Sequence, residues 1–147
     1  MKKIPFALIC LIAAVSCTTG PTGPQVVAHR GHWDTEGSAQ NSLEALRLAG
    51  ELGVYGSEFD VNMTSDGVLM INHDFTFHGI MIDENPSDAI KVSPPANGEV
   101  IPTLEQYLAL GTQYPKLQMV LELKSKGDAG YEARAIPQIV ELLKKYD

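Results

Sequence analysis

Ionisable side chains cluster at the points where four predicted β-strands end. Apolar and β-branched runs predict strands at 25–30, 54–63, 68–74 and 117–124. The pairs at or near their carboxyl ends are His29 with Arg30, Glu58 with Asp60, His73 with Asp74, and Glu122 with Lys124. In α/β folds the carboxyl ends of the strands form the face that binds ligands, so we expect these side chains to converge.

The carboxylates of this group indicate a metal site. Glu58 and Asp60 are two residues apart on one strand and therefore project to the same side, as do Glu122 and Lys124. Three converging carboxylates repel one another, and an unpaired buried charge is costly. A divalent cation would neutralise them, and an all-oxygen ligand set favours Mg²⁺ or Ca²⁺ over zinc.

The basic residues complete the set. Arg30 offers a guanidinium fork and Lys124 an ammonium, and both suit phosphate oxygens. His29 and His73 fit a general acid and a general base on either side of that phosphate, a role worth about 10² to 10⁴ in rate. Together the residues predict metal-assisted cleavage of a phosphodiester. Taken singly, each pair also fits an ordinary solvated strand end or a surface ion pair.

The elements between the strands predict how these residues are positioned. A helix is expected over 39–53, with a capping box between Asn41 and Glu44, and a second over 102–111, with a capping box between Thr103 and Gln106. A third is expected to run through 136–143, with Pro137 near its first turn, whereas 75–100 has little periodicity. Strands that alternate with helices imply a parallel sheet. The fold class is therefore α/β, either about the first four units of a (β/α)8 TIM-type barrel or a small open sheet.

Composition limits the classes of partner. The chain has 147 residues, is 44% hydrophobic and carries a formal charge of −7. This length and composition suit a single domain with a real core. No basic run is present to neutralise the phosphates of a nucleic acid, so we expect no nucleic-acid partner.

The first residues predict export. Residues 1–16 combine two lysines with an apolar stretch too short to span a bilayer, followed by Cys17. This pattern resembles a bacterial lipoprotein signal, which implies lipidation of Cys17 and anchoring to a membrane in the periplasm or at the cell surface. Residues 17–25 would then be a tether and 26–147 a partial domain. The alternative is a plain secretory signal cut near Gly20 or Gly23.

Four motifs in order, "AHRG", "SEFDVNMTSDG", "VLMINHD" and "VLELK", resemble the glycerophosphodiester phosphodiesterase family over roughly residues 26–125. The resemblance implies a (β/α)8 barrel that hydrolyses glycerophosphodiesters to an alcohol and glycerol 3-phosphate. It also implies the roles of individual residues. His29 and His73 would be the acid–base pair, Glu58, Asp60 and Glu122 the metal ligands, and Arg30 and Lys124 the phosphate contacts.

The chain departs from the family pattern in two places. It has "AQNS" where the family usually has Pro-Glu-Asn-Thr, so Gln40 replaces a carboxylate near the site, and "HDFTFHG" lacks the usual Arg-Thr. No ligand role is assigned to Gln40. Trp33 follows the first strand, where it either stacks on substrate or caps the barrel mouth.

The length leaves several explanations open. A (β/α)8 barrel typically needs about 250 residues. A fragment of a longer protein is the favoured explanation, and the alternatives are a half-barrel that closes as a homodimer and an open sheet held at a membrane by its lipid. In function, the rivals are a non-catalytic lipoprotein that binds phosphodiesters or metal and, less favoured, a metal-dependent carboxylate or amide hydrolase.

Overall fold

The structure, a computed structural model, describes residues 23–92 and 94–146. The elements, in chain order, are β1 (Val27–Ala28), α1 (Leu43–Leu52), β2 (Gly56–Met63), β3 (Leu69–Ile71), β4 (Thr76–Phe77), β5 (Ile80–Met81), α2 (Ser87–Ile90), α3 (Leu104–Gly111), β6 (Gln118–Leu123) and α4 (Ala129–Tyr146). The expected signal peptide and Cys17 lie outside the described residues.

The main sheet is built around β2. Its first half pairs in parallel with β1, with Val27 opposite Gly56, and along its other edge it pairs in parallel with β6, with Asp60 opposite Glu122. Its second half pairs with β3. The strand that carries two of the expected ligands is therefore the central one.

The third strand runs in the direction opposite to the one expected. β3 is antiparallel to β2, with Ile71 opposite Val61, so the prediction of four parallel strands is wrong. The cause is the turn between them, in which Gly67 (φ 84°) donates to the Thr64 carbonyl and Thr64 donates to Val68. A turn this short reverses the chain and leaves no room for a crossover. The main sheet of the described residues therefore has three mutually parallel strands, β1, β2 and β6, instead of four.

The outward side of the sheet forms the main core with the helices. Phe59 and Val61 are fully buried, and Leu121 and Leu123 pack against the same cluster, as the period-two alternation predicts. Phe59 contacts Tyr107 of α3 with ring centroids 4.7 Å apart. The opposite side chains of β2 and β6 are thereby turned toward the interior side of the sheet.

The start of α1 differs from the expected capping box. Ser42, not Asn41, is the N-cap, and its hydroxyl accepts a hydrogen bond from the backbone N–H of Ala45. Glu44 pairs with Arg47 instead of folding back on the cap. The capping box between Thr103 and Gln106 at α3 is confirmed.

A distant carboxylate completes the cap of α1. Glu99 accepts hydrogen bonds from the backbone N–H groups of Leu43 and Glu44 at 3.0 and 3.2 Å. These N–H groups have no partner inside the helix, and negative charge is favourable at this end. The segment that contains Glu99 is thus fixed to the N-terminus of α1.

The last helix is longer than predicted. It begins at Ala129, so Pro137 lies in its interior and not near its first turn. Tyr131, Ala135 and Ile139 form its buried stripe. Ile136, Val140 and Leu143, which share the predicted apolar spacing with Ile139, are 48%, 39% and 40% exposed. None of the helices in the described ranges is long and apolar enough to cross a bilayer.

The region expected to be irregular contains short elements with a core of their own. The β4–β5 hairpin and α2 lie between 75 and 100. Met70, Ile82, Ile90 and Ile101 form a second buried cluster, against which Phe77 and Ile80 pack. The segment 75–100 therefore packs against Met70 of β3, and it shares a cavity with the loop that follows β1.

Candidate active site

Three carboxylates meet on the interior side of the sheet. One carboxylate oxygen from each of Glu58, Asp60 and Glu122 lies within 4.8 Å of the others. Asp60 is fully buried, Glu58 is partly buried and Glu122 is exposed. The convergence follows from the register, because Asp60 and Glu122 are directly paired on β2 and β6 and Glu58 is two residues away on the same face.

Two cations lie against these carboxylates. Nζ of Lys124 is 2.9 Å from Oδ1 of Asp60 and 2.7 Å from Oε1 of Glu122, and Nε of Arg30 is 3.8 Å from Oδ2 of Asp60. Partial burial favours the neutral form of Lys124, but its bonds to Glu122 and Asp60 outweigh that effect and raise its pKa. Lys124 is therefore a fixed positive charge at the centre of the site.

The donor set fits a hard divalent cation. Oε1 of Glu58 is buried and has no hydrogen-bond partner among the described residues, which is costly for a carboxylate oxygen. Three carboxylates face only two cations, so one negative charge remains to be balanced. A hard cation would satisfy both the free oxygen and the charge, and carboxylate oxygen is the ligand type that Mg²⁺ and Ca²⁺ prefer. Glu58, Asp60 and Glu122 are the residues that could hold it.

Backbone strain is concentrated beside this cluster. Arg30 and Asn41 both adopt left-handed conformations, with φ of 59° and 60°. The backbone N–H of Arg30 donates to Oε2 of Glu58 at 2.8 Å, and the N–H of Asn41 donates to the Arg30 carbonyl at 3.0 Å. Positive φ at residues other than glycine costs of order 1 to 3 kcal/mol and occurs often at functional sites. The unusual backbone thus orients Glu58.

Asn41 is a site residue that the sequence analysis missed. Its side-chain amide donates to Oδ2 of Asp60 at 2.9 Å, and its carbonyl oxygen accepts from the backbone N–H of Asp60 at 3.2 Å. Asn41 is buried and fixes the orientation of the central carboxylate. The tolerance of asparagine for left-handed backbone was the available signal, but the spacing of the sequence assigned the residue to a helix cap.

His29 lies at the edge of the carboxylate cluster. Its Nε2 is 3.9 Å from Oε2 of Glu58, and its side chain is 68% exposed. The ring is therefore open to an incoming molecule while remaining beside a carboxylate. This placement suits a group that exchanges protons with a bound substrate.

His73 lies just after β3, next to a residue that is hydrogen-bonded to β2. Because β3 is antiparallel, the chain after Ile71 runs back along β2, and the backbone N–H of Asn72 donates to the Asp60 carbonyl at 3.0 Å. The buried Asn62 side chain donates to the carbonyls of Asn72 and Asp74. Nδ1 of His73 is 2.7 Å from Oδ1 of Asp74, a contact that orients the ring. The reversed strand thus places Asn72, the neighbour of His73, at the level of Asp60, and the partner of the His73 ring is Asp74.

Gly31 allows the first loop to approach α1. Its φ is 79°, and a Cβ atom there would lie 2.7 Å from Cβ of Ala45 and 2.8 Å from the Ala45 carbonyl carbon. The next backbone N–H, that of His32, donates to the Ala45 carbonyl at 2.9 Å. The loop after β1 is therefore fixed directly on the helix, with His29 and Arg30 just before it.

Several proteins of known name are similar to this chain in sequence. The mouse protein glycerophosphodiester phosphodiesterase 1 is 30% identical over 127 residues, which cover 77% of this chain and 37% of that protein. A glycerophosphodiester phosphodiesterase of Caldanaerobacter subterraneus subsp. tengcongensis is 35% identical over 97 residues, which cover 58% of this chain and 39% of that protein.

The crystal structure of a glycerophosphodiester phosphodiesterase from Parabacteroides distasonis matches with a TM-score of 0.80 and 43% identity, covering 83% of this chain and 51% of that one. The structure of an Oleispira antarctica phosphodiesterase in complex with the product sn-glycerol-3-phosphate matches with a TM-score of 0.71 and 33% identity, covering 84% of this chain and 53% of that one. The chain thus spans about half the length of these two structures. It spans less than half the length of the two curated relatives.

These matches confirm the fold class. The structural neighbours are TIM-barrel enzymes, and the described residues correspond to a part of that barrel. The model of the glycerophosphoryl diester phosphodiesterase family matches residues 29–146, most of the chain. The resemblance expected from the four motifs is confirmed. The chain belongs to the glycerophosphoryl diester phosphodiesterase family.

Proposed function

We propose that the protein is a metal-dependent phosphodiesterase that hydrolyses glycerophosphodiesters to an alcohol and glycerol 3-phosphate. The observation that carries the proposal is the convergence of Glu58, Asp60 and Glu122 within 4.8 Å, next to Arg30 and Lys124. The family and the neighbour in complex with sn-glycerol-3-phosphate support the same substrate class.

Each group has a definite task in this proposal. Glu58, Asp60 and Glu122 would hold Mg²⁺ or Ca²⁺, and the ion would supply positive charge that neutralises the phosphate. Arg30 and Lys124 bind the phosphate oxygens, and their existing contacts with Asp60 hold them in position.

The two histidines carry the protons. One imidazole takes a proton from the water that attacks phosphorus, and the other gives a proton to the leaving alkoxide oxygen. The exposure of His29 and the orienting contact of His73 with Asp74 support a proton-transfer role for each ring, without assigning the acid or the base. The balance is that of a hydrolysis, in which one P–O bond to the alcohol breaks and one P–O bond to water oxygen forms.

The test is hydrolysis of glycerophosphocholine, followed by the release of glycerol 3-phosphate. We expect turnover with Mg²⁺ or Ca²⁺, none with chelator, and a loss of about 10² or more in His29→Ala and His73→Ala. Glu122→Gln should reduce turnover, whereas substitution of Glu141, which is also exposed but lies on α4, by Gln (Glu141→Gln) should not. Turnover that is insensitive to chelator would contradict the metal assignment.

A second candidate function is binding of phosphodiester or metal without turnover. It is favoured by β6, which pairs only with β2 among the described residues and so leaves one side of the sheet open. Metal-dependent binding of glycerophosphocholine with no release of product would support it. A homodimer that closes this edge is a related proposal. Size-exclusion chromatography with light scattering tests it, and the mass of a monomer would refute it.

Export and membrane anchoring also remain proposals. Residues 1–16 have the composition of a lipoprotein signal, and Cys17 would carry the lipid. Metabolic labelling with a radioactive fatty acid should mark the wild-type protein and not Cys17→Ser. Equal labelling of the two would refute the assignment of Cys17.

A further inference from the structure

We propose that a cavity beside the carboxylate cluster binds a cationic ammonium head group on the alcohol half of the substrate. This inference rests on the proposed function and names the class of diester that the site prefers. The head group would be a quaternary or primary ammonium, not a polyol and not an anion.

The cavity lies beside the loop that directly follows His29 and Arg30. It has a volume of about 650 Å³ and is lined by the loop after β1 and by the excursion between β3 and α3. Gln40 belongs to its lining, and the side-chain oxygen of Gln40 accepts a hydrogen bond from the Arg30 guanidinium. Since Arg30 also lies 3.8 Å from Asp60, Gln40 and Arg30 connect the lining of the cavity to the site proposed for the phosphate.

The chemistry of the lining suits a cation. Trp33, Phe77 and His78 contribute aromatic rings, and Asp34 and Glu36 contribute carboxylates. Neither lysine nor arginine is among the residues that line the cavity in the described part of the chain. An ammonium over aromatic faces gains about 0.5 to 2 kcal/mol, and quaternary ammonium groups are the common ligands of aromatic cages. An anionic head group would instead meet two like charges.

The lining is held in place before any ligand arrives. Within the loop, the backbone N–H of Thr35 donates to the Trp33 carbonyl at 2.8 Å, and the Ser38 hydroxyl donates to the His32 carbonyl at 3.2 Å. On the other side, the His78 ring packs edge-on against Phe77 with centroids 4.4 Å apart, and its Nε2 donates to the Pro94 carbonyl. Side chains and loops that are already ordered lose less entropy on binding.

Trp33 provides a direct readout because it is the single tryptophan of the chain. We expect choline chloride to change its fluorescence saturably, relative to sodium chloride at the same ionic strength. The neutral isostere 3,3-dimethylbutan-1-ol should bind about tenfold more weakly, because it lacks the charge. Equal affinity for the two alcohols, or no saturable response to choline, would overturn the proposal.

Charge variants locate the effect. Asp34→Asn with Glu36→Gln should weaken choline binding about three- to tenfold. The control pair Asp88→Asn with Glu141→Gln removes the same charge from the surface of α2 and α4 and should leave binding unchanged. An equal loss of choline affinity in both double variants would show that only the overall negative charge of the protein matters. That result would contradict binding in the cavity. If the cavity variants do not fold, the comparison of choline with its neutral isostere on the wild-type chain still tests the proposal.

Turnover separates this inference from the proposed function. Glycerophosphocholine should have a higher kcat/KM than glycerophosphoglycerol, mainly through a lower KM. Choline binding without hydrolysis of either diester would refute the proposed function and leave the cavity assigned. Hydrolysis of both diesters at equal kcat/KM, without choline binding, would refute the cavity and leave the function standing.

Discussion

Replacement of Asn41 tests whether the buried polar network fixes the central carboxylate. Asn41→Gly removes the amide that donates to Oδ2 of Asp60 and the oxygen that accepts from the Asp60 backbone N–H. A hydrogen bond to a charged group is worth about 1.5 to 3 kcal/mol, and a buried donor left without a partner costs about 1 to 3 kcal/mol. We expect the free energy of unfolding to fall by about 3 kcal/mol.

Asn41→Ala isolates the contribution of the backbone. It removes the same two hydrogen bonds but places a Cβ atom on a residue whose φ is 60°. Glycine adopts this conformation without strain, whereas for alanine it costs about 1 kcal/mol or more. Asn41→Ala should therefore be less stable than Asn41→Gly by about 1 kcal/mol.

The assay is equilibrium unfolding in urea, followed by far-ultraviolet circular dichroism with chelator present, so that metal does not contribute. Gln113→Ala is a control, because Gln113 is exposed and does not belong to the carboxylate cluster or to the cap of α1. If Asn41→Gly stays within about 0.5 kcal/mol of the wild type, the network does not carry the energy assigned to it.

Three further predictions concern parts of the fold that support the site. Glu99→Ala should lower the free energy of unfolding by about 1 to 2 kcal/mol, because two N–H groups at the start of α1 lose their acceptor, and urea unfolding measures this. Gly31→Ala should cost about 3 kcal/mol or prevent folding, because its Cβ would lie 2.7 Å from that of Ala45, as judged from the same curves. The hydrogen bond from the Thr64 hydroxyl, assisted by Ser87, outweighs partial burial and lowers the pKa of Asp66. A lowered pKa in the folded state stabilises the protein above the unfolded value of about 4, so stability should fall as the pH drops below it, less so in Asp66→Asn.

Each of these has its own control. Glu141→Ala removes an exposed glutamate that caps no helix and should leave stability unchanged, so an equal loss there would contradict the role of Glu99. Gly37 has a φ of 78° with open space around it, so Gly37→Ala should cost only the backbone strain, about 1 kcal/mol. Equal costs at the two glycines would refute the close approach of Gly31. For Asp66, identical acid dependence in wild type and Asp66→Asn would be the contradicting result.

The carboxylate cluster was predictable from local rules. Residues two apart on a strand share a face, so Glu58 and Asp60 had to project together once the strand was assigned. The burial of Phe59 and Val61 on the other face confirms the alternation. Which side chains of β2 face the site therefore follows from the period-two alternation, which can be read from this sequence alone.

The direction of β3 and the start of α1 depend on turn geometry and on contacts between residues that are distant in the sequence. The same apolar run at 69–71 fits a parallel or an antiparallel strand, and the choice rests on the turn at 64–67. Glu99 reaches the start of α1 from more than fifty residues away, and Asn41 contacts Asp60 nineteen residues on. Contacts at such separations leave no periodic trace in the sequence, so tertiary packing decided them.

Calorimetric titration of the chelator-treated chain with Mg²⁺ or Ca²⁺ measures whether the three carboxylates bind a metal. We expect one binding site that is lost or strongly weakened in Glu122→Gln and unchanged in Glu141→Gln. Glu122 is exposed, so its substitution removes a ligand without disturbing the core. Metal binding of equal affinity in wild type and Glu122→Gln, or no binding by the folded wild-type chain, would contradict the assignment of Glu58, Asp60 and Glu122 as a metal site.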